Sequence, residues 1–385
     1  MTPRFPAAAA GASFFKRTAG GLAKALLRRT GPCPAAPRRV LVVAVGFIGD
    51  IVIIQPFLRS LRLSMPSARV SLMLEKGCLP LLRGNAFVDG VIPYDKARAR
   101  DIPYLLSLIA KARRERFDVA VVHYGHFHVE DILFFMGIRH TIGYNHDLGF
   151  KRRLTYELFS RTVFKDWGIN EIDNSFALLR AMGVQSSPGE AYPPVPVSPG
   201  SVPPAAAAFA AGERGARPPL VLMHIGAGYP TKKWPPARWA AAGDLLRESM
   251  PVSLFITGTR DDIREQEEIL GQMRRPAAGL CGATTLEGLI ALIDRADLLL
   301  TTDSGPKHIA YSLGVPTVEV YGSSEQWRWG AYWDREIHIA LDKKPNPAID
   351  PSLAGDGRYH PVIQQVTAEE AAAAALSLLR RKGAR

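Results

Sequence analysis

With 385 residues, 47% of them apolar and 22% charged, the chain can build two ordinary domains with their own cores, and its composition excludes a disordered or fibrous protein. Eight of the twelve net positive charges come from Arg4, Lys16, Arg17, Lys24, Arg28, Arg29, Arg38 and Arg39, in residues 1–49, where no acidic side chain occurs. The rest of the chain is therefore only mildly basic, and no nucleic-acid partner is expected of it. Cys33, Cys78 and Cys281 are odd in number, far apart and without CxxC spacing, which predicts a reducing cytoplasm and no zinc site. No run reaches the 18 or so apolar residues of a membrane-spanning helix; the best stretch, 40–54, is interrupted by Asp50. Lys16 and Arg17 fall where a signal peptide would be most apolar, so no export is expected.

Residues 1–37 are rich in Ala, Gly, Pro and basic side chains and read as a tail. Phe15, Ala19, Leu22 and Leu26 would share one helical face opposite Arg17, Lys24 and Arg28, a pattern that fits peripheral docking on an anionic membrane. Gly20 and Gly21 favour the plainer reading of a disordered basic tail. From residue 38 the chain alternates. The pattern predicts strands over 39–45, 69–75, 88–94 and 117–123, helices over 51–63 and 102–114, and further elements near 141–144 and 174–182. Residues 185–219 hold nine prolines and an alanine run, and the segment 186–218 is read as a linker. A second alternation follows, with strands over 220–225, 252–257, 297–301 and 316–321 and helices over 236–248, 261–272 and 286–295. Thr367 to Glu370 is a capping box opening a last helix over 367–381. Strands that alternate with helices imply parallel, doubly wound sheets, so the fold class is α/β with domains at 38–185 and 219–360. Their strand ends should face one another across a cleft.

Three strand-to-helix turns would meet at that cleft. The first is Gly46-Phe-Ile-Gly-Asp50, where Asp50 can either cap the helix or take a proton from an acceptor hydroxyl. The second follows residue 225 and reads Gly226-Ala-Gly228-Tyr-Pro-Thr-Lys232-Lys233-Trp234; its glycines allow close approach and its lysine charge can neutralise a diphosphate, or it is a solvated loop whose tryptophans pack inward. The third is Asp303-Ser-Gly-Pro-Lys-His308, in which Asp303 or Ser304 can cap and Gly305 frees backbone N–H groups to bind phosphate. His123, His126 and His128 cluster after a strand; their spacing matches no strong zinc motif, leaving acceptor contacts or ordinary packing. There is no Asp-x-Asp, no GxxxxGK[ST] and no Gly-x-Gly-x-x-Gly after the first strand, which weakens kinase, ATPase and dehydrogenase readings.

Taken together, RVLVVAVGFIGDIVIIQPFLRSLRLSMPSARV, KKWPPARWAAAGDLL and CGATTLEGLIALIDRADLLLTTDSGPKHIAYSLGVPTVEVYG resemble glycosyltransferase family nine, the lipopolysaccharide heptosyltransferases. The resemblance covers the chain from about residue 39 to the last helix and implies the GT-B arrangement of two Rossmann-like domains, the first binding acceptor and the second donor. It implies Asp50, next to Gly49, as catalytic base; Lys232 as a contact to the donor diphosphate; and Asp303, Ser304, Gly305 and His308 as the donor-phosphate grip, with Gly226 and Gly228 beside them. Gly49, His123 and His126 are expected on the acceptor side. The reaction implied is inverting and metal-independent transfer of a sugar, heptose in the family, from an ADP-sugar to a lipid-linked lipopolysaccharide core, with no cofactor. It would take place in the cytoplasm, with possible peripheral contact at the inner membrane. A sugar-nucleotide epimerase of the same fold, or a non-catalytic protein binding an anionic surface or nucleic acid, are the alternatives. Three features depart from the pattern: Phe47-Ile48 stands where many members have small or polar residues, Lys307 replaces an apolar residue, and Ser-Ser-Glu-Gln-Trp follows Gly322.

Overall fold

The computed structural model describes residues 33–34, 36–124, 129–145, 159–198, 201–204, 206–207, 217–275, 277–343 and 359–383. Nearly all of the expected tail, and His126 and His128, lie outside the described residues. The first half comprises β1 (Arg39–Ala44), α1 (Ile48–Ile53), α2 (Gln55–Ser64), β2 (Arg69–Glu75), β3 (Gly90–Tyr94), α3 (Ile102–Glu115), β4 (Val119–Tyr124), α4 (Val129–Met136), β5 (His140–Asn145), β6 (Arg161–Phe164) and α5 (Glu171–Ala181). The second comprises β7 (Leu220–His224), α6 (Pro236–Ser249), β8 (Ser253–Thr257), α7 (Ile263–Gln272), β9 (Ala278–Gly279), α8 (Leu286–Arg295), β10 (Leu298–Thr302), α9 (Gly305–Ser312), β11 (Thr317–Val320), α10 (Gln326–Trp329), β12 (His338–Leu341), α11 (Pro361–Gln364) and α12 (Ala368–Gly383).

Each half is a parallel six-stranded sheet, ordered β3-β2-β1-β4-β5-β6 in one and β12-β11-β10-β7-β8-β9 in the other. Winding reverses between β1 and β4 and again between β7 and β10, and the crevice beyond the strand ends at such a reversal is where these folds bind ligands. The expected α/β class and pair of doubly wound sheets are thus present. Parallel strands covered on both faces must be apolar on both, which is why β1 reads RVLVVA and buries Val40 to Ala44 completely. Val40, Val42 and Ala44 point into a central core, while Leu41, Val43 and Val45 enter an outer one. Leu220 and Leu222 join the same central core from the second half, as do Ile309 and Tyr311 of α9. One apolar cluster therefore runs between the two sheets.

The structure differs from expectation in three places. The single helix predicted over 51–63 is two: α1 starts earlier, at Ile48, and the chain restarts as α2 because Pro56 lacks the N–H that would continue the ladder. Edge strands β6 and β12 are not expected from the sequence, and neither is buried along its length as the equally short β11 is. The proline-rich linker is not a bare tether, since Tyr192 and Val195 are buried; Tyr192 stacks on Tyr311 at 5.7 Å and accepts the Tyr332 N–H at 2.9 Å. Helix α12 completes the second half, burying Ala371, Ala375 and Leu378 in a core shared with Trp239 and Leu246 of α6.

Candidate active site

The turn after β1 brings Asp50 to the crevice. Phe47, in extended conformation, is the cap residue of α1, so Asp50 is the third residue inside the helix and not its cap. Its Oδ2 reaches back to accept the Phe47 N–H at 2.6 Å. A Cβ at Gly46 would fall 2.2 Å from that oxygen, so only glycine leaves room for the carboxylate. Asp50 is 9% exposed. Burial pushes its carboxyl up to about 6; the Phe47 N–H, Lys165 and Lys96 oppose the rise, and the negative charge of Glu171 adds to it. A carboxyl tuned toward neutrality at the mouth of a parallel sheet is suited to accept a proton.

The turn after β10 faces it. Ser304 occupies the cap position of α9, but its hydroxyl is shared with Thr301 Oγ1 at 2.9 Å and makes no bond to the helix amides. Those N–H groups, with the positive end of the helix dipole, are available to an anion. Asp303 is gripped on both oxygens, by Lys232 Nζ at 2.5 Å on one and by Lys307 Nζ at 2.5 Å on the other. Burial alone would raise the Asp303 carboxyl; Lys307 and Lys232 overcome it and hold the group well below the ordinary carboxylate range. Two ammonium groups against one carboxylate leave one net positive charge beside the helix end. Lys307, unexplained by sequence, is completely buried and also donates to the Tyr321 hydroxyl at 2.7 Å and the Trp329 carbonyl at 2.8 Å.

The two turns touch. A Cβ on Gly49 would come within 2.7 Å of the His308 ring, and one on Gly305 within 2.8 Å of Ile48 Cβ, so α1 and α9 pack through their glycines. His308 is buried, its Nδ1 meets no partner among the described residues, and burial, reinforced by Lys307, keeps it neutral.

The third turn completes the wall. Gly226 lies against His224 and Asp262, with a Cβ there 3.0 Å from each, whereas Gly228 is open. The structure separates the two lysines that follow: Lys232 turns to Asp303, and Lys233 to Asp262 at 2.7 Å and Glu265 at 2.5 Å. Trp234 and Trp239 do pack inward, edge to face at 5.0 Å. Tyr229, half exposed, meets the exposed Phe47 edge to face at 6.4 Å, so an aromatic pair bridges the halves at the site's edge. His123, by contrast, is buried against Phe57 at 4.2 Å, and burial pushes its pKa down to about 3. Among the described residues no group of three His, Cys, Asp or Glu could hold a metal ion.

Sequence reasoning missed Lys96, whose Nζ donates to the Gly46 carbonyl at 2.6 Å, and the buried trio Lys165, Glu171 and Arg328. Lys96 and Arg328 lie far in sequence from Lys165 and Glu171, and none of the four falls in a motif spacing, so no local pattern marks them.

Two Rossmann-like parallel sheets facing one another, with an acid at one reversal point and a cationic helix end at the other, have the GT-B architecture. A family model, glycosyltransferase family 9 (heptosyltransferase), matches residues 105–352. Lipopolysaccharide heptosyltransferase 2 of Salmonella typhimurium is 29% identical over 301 residues, covering 74% of this chain and 83% of that protein. Lipopolysaccharide heptosyltransferase 3 of Escherichia coli is 27% identical over 325 residues, covering 79% and 89%. Among solved structures, a family 9 glycosyl transferase from Veillonella parvula superposes with a TM-score of 0.75 at 22% identity, covering 89% of this chain and 98% of that one. The E. coli ADP-heptose lps heptosyltransferase II gives 0.71 at 22% identity, covering 89% and 99%. The chain belongs to glycosyltransferase family 9 and is a glycosyltransferase, which sets aside the epimerase and the non-catalytic alternatives.

Proposed function

We propose that this enzyme transfers heptose from ADP-heptose to a hydroxyl of a lipopolysaccharide core, with inversion and without a metal. The observation that carries the reading is the direct contact of α1 with α9, which places a buried carboxyl of raised pKa beside an uncapped cationic helix end. Asp50 takes the proton of the acceptor hydroxyl as its oxygen attacks the anomeric carbon from the face opposite the diphosphate. Lys232 and the N–H groups after Ser304 stabilise the departing ADP, and the net positive charge of the Asp303, Lys232 and Lys307 group supplies what a metal would otherwise provide. Gly226 and Gly228 let the backbone approach the donor, and Gly49 and His123, with His126, belong to the acceptor side. The donor and acceptor are supported by the relatives' names and by the solved E. coli heptosyltransferase WaaC with ADP-2-deoxy-2-fluoro heptose. A lipid-linked acceptor would place this work at the cytoplasmic face of the inner membrane, by peripheral contact. The test is mass spectrometry of a truncated core acceptor incubated with ADP-heptose or other nucleotide sugars. A gain of one heptose from ADP-heptose supports the reading, and transfer from another nucleotide sugar with none from ADP-heptose refutes it.

A further inference from the structure

Behind Asp50 lies a second charged group that the proposed chemistry does not use. Lys165 follows β6, Glu171 opens α5, and Arg328 sits in α10 of the other half. All three are buried, at 4%, 2% and 8% exposure. Lys165 Nζ lies 2.9 Å from Glu171 Oε2, the Tyr124 hydroxyl donates to the same oxygen at 3.2 Å, and Arg328 clamps Oε1 through Nε and a terminal nitrogen. Rings close the group in, with Lys165 over Tyr144 at 4.9 Å and Arg328 over Trp167 at 4.1 Å. The neighbouring residues bind the halves at the same place. Asn170 donates to the Trp327 and Gly330 carbonyls at 3.3 Å, and the Tyr332 hydroxyl donates to Asp173 at 2.6 Å. Tyr124 links this group to the site, because its carbonyl accepts the N–H of Val45, the residue before the Asp50 turn, at 2.8 Å.

Burying three charges is costly, and packed apolar side chains would hold two domains at least as well. Stability alone therefore leaves the choice of residues unexplained. We propose that Lys165, Glu171 and Arg328 are positioning residues, a clamp across the two halves that fixes the electrostatic surroundings of Asp50 while the halves are together; the inference rests on Asp50 being the base. The groups that face Asp50 are the Phe47 N–H on its own turn, Cys78 after β2, Lys96 after β3, Tyr124 on β4, and Lys165 and Glu171, while His308 on α9 packs against the neighbouring Gly49. Burial keeps Cys78 and Tyr124 protonated and His308 neutral, so near neutral pH the charges acting on Asp50 are Glu171, Lys165 and Lys96.

The test is a pair of opposite shifts. Removing the anion with Glu171→Gln should move the acid limb of kcat/KM to lower pH, and removing the cation with Lys165→Met should move it to higher pH, each by on the order of one unit. Arg328→Met should follow Lys165→Met, since Glu171 then loses a neutralising partner, and Arg328→Lys should return toward the parent. A purely structural trio would lower melting temperature and kcat together and leave the limb in place. Titration of the Asp50 carboxyl in 13C-aspartate-labelled protein, its resonance assigned by loss in Asp50→Asn, reads the same shifts without turnover. Active Asp50→Asn protein would sink the base reading while leaving the titration to decide the clamp. Should the neutral variants fail to fold, Glu171→Asp and Lys165→Arg, which keep the charges, must titrate within a few tenths of a unit of the parent. Coincident titration curves for the parent and the folded neutral variants, or a large shift in the charge-keeping ones, overturn the clamp.

Discussion

Replacing Asp50 with asparagine should make the protein inactive and, above neutral pH, more stable. The carboxyl is 9% exposed, and burial raises its pKa from the usual 3.8 to about 6. Between those values the folded chain binds more protons than the unfolded one, so stability falls as pH rises through the window, and the loss is complete once pH passes the folded value. Roughly two units correspond to about 3 kcal/mol, an upper figure for the cost of keeping this base charged in place. The amide escapes that cost because it never ionises, and its carbonyl oxygen can still accept the Phe47 N–H. Denaturant unfolding of the parent and Asp50→Asn across about pH 4 to 8 should show no advantage at the acid end and up to about 3 kcal/mol at the alkaline end. Turnover should drop by about 10²- to 10⁴-fold. A stability difference that stays flat over this range would refute the assignment of a buried carboxylate of raised pKa.

For the parent enzyme, kcat/KM should fall as pH drops through about 6, where Asp50 takes up its proton, and a profile flat down to the ordinary aspartate range would contradict the base role. Lys307→Met leaves Asp303 with Lys232 alone and strips a donor from the Tyr321 hydroxyl and the Trp329 carbonyl. Breaking such a pair costs about 3 to 5 kcal/mol, a fall in melting temperature of roughly 10 °C, and adding Asp303→Asn should recover part of it; unchanged melting would show that the pair contributes nothing. Gly49→Ala puts a methyl group 2.7 Å from the His308 ring, and calorimetry should register about 1 to 3 kcal/mol of destabilisation together with reduced kcat/KM. Lys232→Met should lower kcat/KM by about 10²-fold while the fold, judged by circular dichroism, is kept; full activity would remove Lys232 from the leaving-group site.

The fold was largely legible because the central strands of parallel sheets must be buried and mostly apolar on both faces, as β1 and the leucines of β10 are, and because helices must start where glycine and proline allow. Edge strands β6 and β12 have one open side and so lack that pattern. At the site, the three turns could be read because each is local, with its glycines, lysine or acid within a few residues of a strand end. What could not be read is who pairs with whom. Nothing in the sequence tells that Lys232 turns to Asp303 and Lys233 to Asp262, or that Lys307 is buried as a second counter-charge. The same limit hid Lys165 and Glu171, which are neighbours in the chain, and Arg328, which reaches Glu171 only once both halves are folded.

The glycine-mediated contact between the first turn and the donor helix has a consequence for how such enzymes can be recombined. Gly49 and Gly305 each touch a residue of the other half, His308 and Ile48, so neither half presents a surface that would accept any partner. A graft that changes donor preference by exchanging everything after the proline-rich segment carries His308 and Gly305 with it, but leaves Ile48 and Gly49 behind. Chimaeras of this kind should work only where the incoming helix and the resident turn already match, which makes these four positions the ones to choose together when building a hybrid transferase.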